Sequence, residues 1–198
     1  RLAAALALCS DAVIKDGEAV GDPTQCAVVN YAQSIGLEKE ALEAEYPRLA
    51  EIPFDSERKM MTTVHSAPHG NIQYTTGAPD VIIARCGSCI RGGRVVPMSE
   101  RMKQEALEEN RRLAGMALRV IAAACREYRE PVRQGAALSP KIENGMIYLG
   151  LVGMEDPIRD EVPDALQKCR SAGILTVMIT GDHLDTAAAI AGKLGVIT

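Results

Sequence analysis

Residues 60–76 read Met60-Met-Thr-Thr-Val-His-Ser-Ala-Pro-His-Gly-Asn-Ile-Gln-Tyr-Thr-Thr76. Two runs rich in β-branched residues, Met60–Val64 and Ile72–Thr76, lie on either side of the turn sequence Pro68-His-Gly-Asn71. Such runs, separated by Pro, Gly and Asn, are typical of two paired strands and their connection. We therefore predict an α+β domain built on an antiparallel sheet around this hairpin.

Helical and strand-like segments alternate without a regular order over the rest of residues 1–145. Gly21-Asp-Pro-Thr-Gln25 predicts a helix start, because Asp22 can accept hydrogen bonds from the first turn and proline suits the first helical position. This helix is predicted to end near Gly36. The other predicted segments are a buried helix over 2–9, strands at Val95–Val96 and Ala117–Ala124, a charged helix from Ser99 to about Ala114, and a loop over 130–140.

The pattern changes near residue 145 to a regular alternation of strand and helix. The predicted order is strand Ile147–Val152, helix 160–172, strand Ile174–Ile179 and helix 184–194. This alternation is typical of parallel α/β structure. We predict two domains, an α+β domain over residues 1–145 and a partial α/β, Rossmann-like domain over residues 146–198.

The composition argues against several classes of function. The chain has 198 residues, of which 47% are hydrophobic, and a net charge of -4 with a pI near 5.5. A nucleic-acid surface needs a clustered basic face, so we expect no nucleic-acid partner. No apolar run reaches the roughly 18 to 20 residues that a membrane-spanning helix needs.

The six cysteines are scattered and lie mostly in apolar segments, which favours a reducing compartment over a secreted disulfide framework. Cys86-Gly-Ser-Cys89 has the spacing of a redox pair or of half a zinc site. Because no second CxxC or histidine pair accompanies it, two structural cysteines are the favoured interpretation.

The run Phe54-Asp-Ser-Glu-Arg-Lys-Met-Met61 is a candidate ligand site. Phe54 is the only phenylalanine in a chain without tryptophan, and two cations, Arg58 and Lys59, follow it closely. An aromatic ring offers a stacking face to a flat heteroaromatic ligand, and cations can bind the phosphates of such a ligand. The alternative, which this run alone favours, is a core phenylalanine beside a solvent-exposed charge run.

Two more residues of the first region, Gly77 and Arg119, are candidate site residues. Gly77, in Thr75-Thr-Gly-Ala-Pro-Asp80, follows a predicted strand, and its missing side chain would let a ligand approach the backbone. The alternative is an ordinary strand-to-helix turn with Pro79 at the first helical position. Arg119 interrupts an apolar strand and has to reach a carboxylate, a phosphate or the surface, because an unpaired buried charge is unfavourable.

The run Val177-Met-Ile-Thr-Gly-Asp-His183 predicts a strand, a polar turn and a helix start. In parallel α/β sheets ligands bind beyond the carboxyl ends of strands, where Thr180 would present a hydroxyl and Gly181 an N–H group. Asp182 could instead act only as the cap of the following helix.

A second turn in this region lies in Gly153-Met-Glu-Asp-Pro-Ile-Arg159. Asp156 and Arg159 flank its proline closely enough to pair with each other or to contact a ligand. A turn with a surface ion pair is the alternative that this motif alone favours.

The order of these motifs is more specific than any one of them. Gly-Asp-Pro-Thr, Pro-Phe-x-Ser-x-Arg-Lys-x-Met, Thr-Gly-Ala-Pro-Asp, Ala-Leu-Arg, Gly-Met-x-Asp-Pro-x-Arg and Met-Ile-Thr-Gly-Asp-His follow one another along nearly the whole chain. In this order they resemble the cytoplasmic part of P-type cation-transporting ATPases, most closely the calcium-pump-like branch. The resemblance implies that residues 1–145 are a nucleotide-binding domain. It also implies that residues 146–198 are part of a phosphorylation domain with a haloacid-dehalogenase-like fold.

The resemblance implies roles for residues of the first region. Phe54 would stack on adenine, Lys59 would line the same pocket, and Gly77 would lie beside the purine. Arg119 would reach the nucleotide phosphates. Gln25 stands where the family usually has a glutamate that accepts a hydrogen bond from the adenine amino group.

In the second region, Asp156 and Arg159 match the hinge motif that joins the two domains. Thr180, Gly181 and Asp182 match the segment that contacts the transferred phosphoryl group and the bound nucleotide. The implied cofactors are ATP and, in the intact pump, Mg²⁺; we assign no metal ligand to this chain.

Two positions depart from the family pattern. Thr76 replaces the usual lysine before Gly-Ala-Pro, and Gln25 keeps an acceptor oxygen without the charge. Because a charge-assisted hydrogen bond contributes about 1.5 to 3 kcal/mol, we expect ATP binding weakened by roughly tenfold or more.

The family's phosphorylated Asp-Lys-Thr-Gly-Thr run and its Gly-Asp-Gly-x-Asn-Asp magnesium segment do not occur in this sequence. Since phosphoryl transfer needs both, we expect a fragment of a membrane pump that does not hydrolyse ATP by itself. Its partners would be the remaining phosphorylation, actuator and transmembrane domains of a parent in the cell membrane, with this part on the cytoplasmic side. The alternatives are a free-standing nucleotide-binding or regulatory module and a haloacid-dehalogenase-like phosphatase, whose Asp-x-Asp motif is absent here.

Overall fold

The computed structural model describes residues 1–128, 131–155, 158–159, 161–180 and 184–197. The helices are α1 (Leu2–Leu8), α2 (Pro23–Ser34), α3 (Lys39–Glu45), α4 (Pro79–Arg85), α5 (Glu100–Ala114), α6 (Glu161–Ser171) and α7 (Leu184–Lys193). The strands are β1 (Val13–Lys15), β2 (Glu18–Val20), β3 (Arg48–Asp55), β4 (Met60–Ala67), β5 (Gly70–Gly77), β6 (Cys86–Arg91), β7 (Arg94–Pro97), β8 (Leu118–Tyr128) and β9 (Met146–Glu155). A 3₁₀ helix spans Pro140–Glu143.

The described residues divide into two compact units. The first comprises Arg1–Leu107 with Ile121–Val152, and the second comprises Glu108–Val120 with Gly153–Thr198. The main sheet has the strand order β3-β4-β5-β8-β9-β6-β7. The pairs β3–β4, β4–β5, β5–β8 and β6–β7 are antiparallel, and β6 pairs with β9 in parallel. The predicted mixture of helices with an antiparallel-rich sheet is therefore confirmed.

In the first unit, the hairpin and the helix start that the local sequence predicts are both present. The β4–β5 hairpin extends from the pair Met60↔Gly77 to the pair Ala67↔Gly70. Asp22 caps α2, because its Oδ1 accepts hydrogen bonds from the backbone N–H of Thr24 at 2.9 Å. These contacts confirm the predicted hairpin and the predicted helix start.

Strand β9 begins where the sequence predicts the second domain. In the structure its first residues lie in the main sheet, with Met146 opposite Cys86 and Tyr148 opposite Cys89. The second segment of the first compact unit is Ile121–Val152, so this unit includes the first residues of β9. Local periodicity identifies β9 as a strand but does not reveal a parallel partner so far away along the chain. The assignment of residues 146–198 to a separate functional domain stays a prediction.

The predicted strand Ile174–Ile179 is wrong. Residues 174–180 have no regular secondary structure, although α6 and α7 form where helices are predicted on either side. The side chains of Leu175 and Ile179 are 88% and 94% exposed. A parallel strand needs neighbouring strands for its backbone hydrogen bonds and its apolar side chains, and no described strand pairs with this segment. A Rossmann-like domain is therefore not shown.

One hydrophobic cluster of the first unit packs α4 and the start of α5 against the main sheet. Its buried members are Met60, Ile82, Ile83, Cys86, Cys89, Met98, Ala122, Ala124 and Met146. Each fully buried Ile or Met side chain contributes about 1.5 to 3 kcal/mol to stability. Burial also raises the pKa of the Cys86 thiol to about 12. Cys86 and Cys89 are thus core residues, and the cysteines whose placement is described are free thiols.

His65, on strand β4 of the main sheet, is a fully buried polar residue. Its Nδ1 lies 2.9 Å from the carbonyl oxygen of Tyr46, and its Nε2 lies 2.9 Å from the hydroxyl of Thr63. Burial lowers the pKa of His65 to about 4. The folded protein therefore holds this imidazole neutral at pH values where the unfolded chain protonates it.

We predict that the His65 contribution to stability is fully present above pH 6.5 and is lost as the pH falls towards 4. The unfolded chain binds the additional proton in that window, so acid favours unfolding. At pH 5 the loss is about 2 kcal/mol relative to pH 7, since each pKa unit corresponds to about 1.4 kcal/mol. Urea unfolding at pH 7 and at pH 5 measures this loss in the free energy of unfolding. A His65→Leu variant that shows the same pH dependence as the unsubstituted chain would contradict the prediction.

Candidate functional site

The turn between β3 and β4 carries Phe54 and Lys59. Asp55 fixes this turn, because its Oδ1 accepts hydrogen bonds from the backbone N–H of Arg58 at 2.8 Å and of Glu57 at 3.1 Å. Its carbonyl oxygen accepts from the N–H of Lys59 at 2.7 Å. Lys59 has a φ of 55°, in the left-handed region, which costs about 1 kcal/mol or more for a residue with a side chain. The turn is thus held in one conformation by its own polar contacts.

The two side chains that the turn presents face solvent. Phe54 is 61% exposed, and Lys59 is exposed as well. The alternative of a core phenylalanine is therefore wrong. A turn that presents both an exposed ring and an exposed ammonium group can bind a flat ligand that carries negative charge.

Gly77 lies against this turn at the end of β5. A Cβ atom at position 77 would lie 2.3 Å from the carbonyl oxygen of Lys59 and 2.7 Å from the Cα of Met60. The next N–H group, of Ala78, donates to the same Lys59 oxygen at 2.9 Å. The chain's own backbone thus occupies the space that the missing side chain leaves, which explains glycine here without a ligand. The structure brings Phe54, Lys59 and Gly77 to one end of the sheet.

Gln25 reaches the same region through the loop that follows α1. Its Oε1 accepts a hydrogen bond from the backbone N–H of Asp11 at 2.6 Å. Two residues earlier, Cys9 lies 3.5 Å from the hydroxyl of Thr76, the residue before Gly77. Gln25 therefore positions a loop beside the end of β5, and its amide oxygen is already engaged by that loop.

A buried cation, Lys39, and a half-buried one, Arg48, hold this loop in place. Lys39 is 6% exposed, and its Nζ donates to the carbonyl oxygen of Ser10 at 2.7 Å. Arg48 donates to the same oxygen at 2.7 Å and to the carbonyl oxygen of Leu8, near the end of α1, at 3.0 Å. Cations are favourable at the carboxyl end of a helix, where carbonyl groups lack partners within the helix. Burial lowers the pKa of Lys39 below its ordinary value.

The guanidinium group of Arg58, the second cation of the run over residues 54–61, is engaged within the protein. Its guanidinium group donates to the carboxylate of Glu143 at 2.5 Å and to the carbonyl oxygen of Pro53 at 2.6 Å. Glu143 is fully buried. Sequence analysis missed Glu143, because the two partners lie 85 residues apart and no local pattern links them.

The remaining predicted site residues belong to the second unit. Arg119, Arg159 and Thr180 are exposed. Arg119 thus reaches the surface, one of the three outcomes expected for a cation in this strand. The carbonyl oxygen of Arg159 accepts from the N–H of Val162 at 3.0 Å at the start of α6. The other predicted residues of this unit, Asp156, Gly181 and Asp182, lie outside the described residues.

A cavity of about 740 Å³ lies at the other end of the main sheet, beside the β4–β5 turn. Its lining includes Tyr46, His69, Asn71 and Glu127, and none of the predicted site residues. Strands of eight residues separate the two ends by roughly 24 Å. The cavity is therefore distinct from the Phe54 turn, and we assign no ligand to it.

Comparison with known proteins decides the family. Residues 1–161 match the family described as P-type ATPase, cytoplasmic domain N. The chain belongs to the P-type ATPases. This finding confirms the resemblance that the order of the sequence motifs indicates.

Individual relatives of this P-type ATPase chain agree with that assignment. "Calcium-transporting ATPase" of Bacillus subtilis is 43% identical over 95% of the chain and 21% of its own length. "Calcium-transporting ATPase 1" of Bacillus cereus is 40% identical over 96% of the chain and 21% of its own length. "Sodium/potassium-transporting ATPase subunit alpha-2" of Gallus gallus is 35% identical over 96% of the chain and 20% of its own length. The chain thus spans about one fifth of the length of these relatives. Among its described helices, none has the length and apolar character that crossing a bilayer requires.

We predict that Gly77→Ala destabilises the first unit by about 1 to 3 kcal/mol, the usual effect of inserting an atom where packing leaves no space. The added methyl group collides with backbone atoms of Lys59 and Met60, which cannot rotate away as a side chain could. Urea unfolding of the two proteins measures the change in the free energy of unfolding. Gly87→Ala is the matched control, because its nearest neighbour would be the Cα of Gly145 at 3.8 Å. Equal stabilities of the two variants would contradict the prediction.

Proposed function

We propose that this chain is the ATP-binding part of a P-type ATPase that transports Ca²⁺. The observation that carries the proposal is that one turn presents the exposed ring of Phe54 and the exposed side chain of Lys59, at the end of the sheet where Gly77 packs against the backbone of Lys59. Relatives named calcium-transporting ATPases, at 40% and 43% identity, support the choice of ion. In the intact pump the activity would be ATP-driven cation translocation.

The adenine base would stack on the ring of Phe54. Stacking of a base on an aromatic side chain contributes about 1 to 3 kcal/mol, and an exposed ring supplies this without reorganisation of the core. The ammonium group of Lys59 would bind negative charge or the π face of the base. Gly77 would line the pocket through its backbone, since its side-chain position faces the turn.

Three features of the first unit would limit the affinity. Thr76 carries a hydroxyl where the family usually has a lysine, and this hydroxyl lies beside Cys9. The Oε1 of Gln25 accepts from the N–H of Asp11 at 2.6 Å and from the hydroxyl of Ser10 at 3.5 Å, so the adenine amino group would have to compete for this oxygen. Engagement of Arg58 by Glu143 removes a further cation from the ligand. We therefore expect ATP binding in the high micromolar to millimolar range, equivalent to about 4 to 6 kcal/mol.

Residues of the second unit would contact the phosphate end of the nucleotide in the intact pump. We propose that Arg119 reaches the phosphates, that Asp156 and Arg159 belong to the hinge, and that Thr180, Gly181 and Asp182 contact the transferred phosphoryl group. Residues 146–198 would then be part of the phosphorylation domain, whose complete sheet would be Rossmann-like. The aspartate that receives the γ-phosphate would lie elsewhere in the parent, on the cytoplasmic side of the membrane, together with the actuator and transmembrane domains.

Mg²⁺ would accompany ATP in the intact pump. Within the described residues no group of three or more His, Cys, Asp or Glu side chains could hold a metal ion. We therefore assign no magnesium ligand to the described part of this chain.

We predict that ATP binds the chain saturably and that Phe54→Ala weakens binding at least tenfold. The substitution removes the stacking face, and a loss of about 1.4 kcal/mol corresponds to a factor of ten. Isothermal titration calorimetry with ATP measures both affinities. Tyr31→Ala is the control, because Tyr31 is another exposed aromatic residue, 42% exposed on α2. Unchanged affinity in Phe54→Ala, or no binding by the unsubstituted chain, would contradict the proposal.

A further inference from the structure

We infer that Glu143 is a positioning residue for the nucleotide site. It holds the guanidinium group of Arg58, and through Arg58 it holds the turn that presents Phe54 and Lys59. The inference rests on the proposed function, because it assigns Glu143 a role in that same site.

The carboxylate of Glu143 lies under the β3–β4 turn. Glu143 ends the 3₁₀ helix Pro140–Glu143, and its side chain is fully buried. Its Oε1 accepts hydrogen bonds from Arg58 Nη1 at 2.5 Å and from the hydroxyl of Thr62 at 2.9 Å. The hydroxyl of Thr62 lies 2.9 Å from that of Thr75 on the neighbouring strand β5. The carboxylate is therefore anchored to two strands of the sheet and can serve as a fixed point for Arg58.

Arg58 connects the carboxylate of Glu143 to the β3–β4 turn. Its Nη2 donates to the carbonyl oxygen of Pro53, the residue before Phe54, at 2.6 Å. Its backbone N–H donates to Asp55 Oδ1 at 2.8 Å. Arg58 thus binds Pro53 through its side chain and Asp55 through its backbone, and its planar guanidinium group joins Pro53 to Glu143 with little freedom. Loss of Glu143 would release the anchored end of this arrangement.

Stability alone does not explain a carboxylate at this position. Glu143 Oε2 is buried and accepts no hydrogen bond from the described residues, and Arg85 Nη1 lies 4.0 Å from it. A buried ion pair with an unsatisfied oxygen is generally no more stabilising than well-packed apolar residues of similar volume. What the pair does supply, and what apolar residues cannot, is the directed hydrogen bond from Arg58 to Pro53.

The test combines a single variant with a double variant. Glu143→Gln removes the charge that holds Arg58, and Arg58→Met with Glu143→Leu replaces the whole pair by apolar side chains. The matched control is His65→Leu, which removes another fully buried polar side chain at the far end of β4. Urea unfolding reports the stability of each protein, and calorimetry reports its affinity for ATP.

We expect Glu143→Gln to weaken ATP binding about tenfold, the factor that loss of one charge-assisted hydrogen bond produces. In the double variant we expect stability to recover towards that of the unsubstituted chain while ATP affinity stays low. His65→Leu lowers stability without changing ATP affinity. Recovery of affinity together with stability in the double variant would overturn the inference, since Glu143 would then act only through stability.

A second measurement needs no nucleotide. Phe54 is the only phenylalanine in the chain, so fluorophenylalanine labelling gives a single ¹⁹F signal from the turn. We expect this signal to shift or broaden in Glu143→Gln and in Arg58→Lys, which keeps the charge but cannot span both acceptors. It stays unchanged in His65→Leu. An unchanged signal in either folded variant at position 58 or 143 would overturn the inference, whereas an unsubstituted chain that fails to bind ATP would overturn the proposed function.

Discussion

The contact between Arg58 and the buried carboxylate of Glu143 is the interaction on which the candidate site depends. It joins a turn at the surface to a fixed point inside the sheet. Gly77 confines the same turn from the other side, because the backbone of Lys59 and Met60 fills the space beside its Cα. A turn that is held in this way needs little reordering of its backbone when a flat ligand stacks on the ring that it presents. The fixed backbone of the turn, and not burial of the side chain, thus determines the position of Phe54.

Local signals in the sequence predicted the elements that depend on neighbouring residues. The hairpin around Pro68 and the helix cap at Asp22 are set by turn and capping chemistry within a few residues, and both form as expected. The strand predicted at Ile174–Ile179 does not form, since an apolar run becomes a strand only where another strand can pair with it. The parallel pairing of β9 with β6 was equally invisible, because it depends on a partner far away along the chain.

In the candidate site, too, the local features could be predicted from the sequence and the contacts between distant residues could not. Phe54, Lys59 and Gly77 could be selected from the sequence, because each has an unusual side chain or an unusual position in a motif. The sequence could not show that Arg58 turns inwards while Lys59 stays exposed, as this depends on Glu143. The oxygen of Gln25 is likewise taken by the loop at Asp11, a contact that motif matching does not reveal. The order of the motifs therefore indicated the family, and the structure showed that Arg58 contacts Glu143 whereas Lys59 faces solvent.

The central claim is that adenine stacks on Phe54 at this end of the sheet. The most direct test is a nuclear Overhauser experiment between the ring protons of Phe54 and the H2 and H8 protons of bound ATP, since the single phenylalanine makes the assignment unambiguous. The account predicts direct contacts between these protons, with shifts of the Lys59 and Gly77 amides on the same titration. Bound ATP that shows no contact with Phe54, and instead shifts the amides of His69 and Asn71 at the opposite end of the sheet, would contradict it.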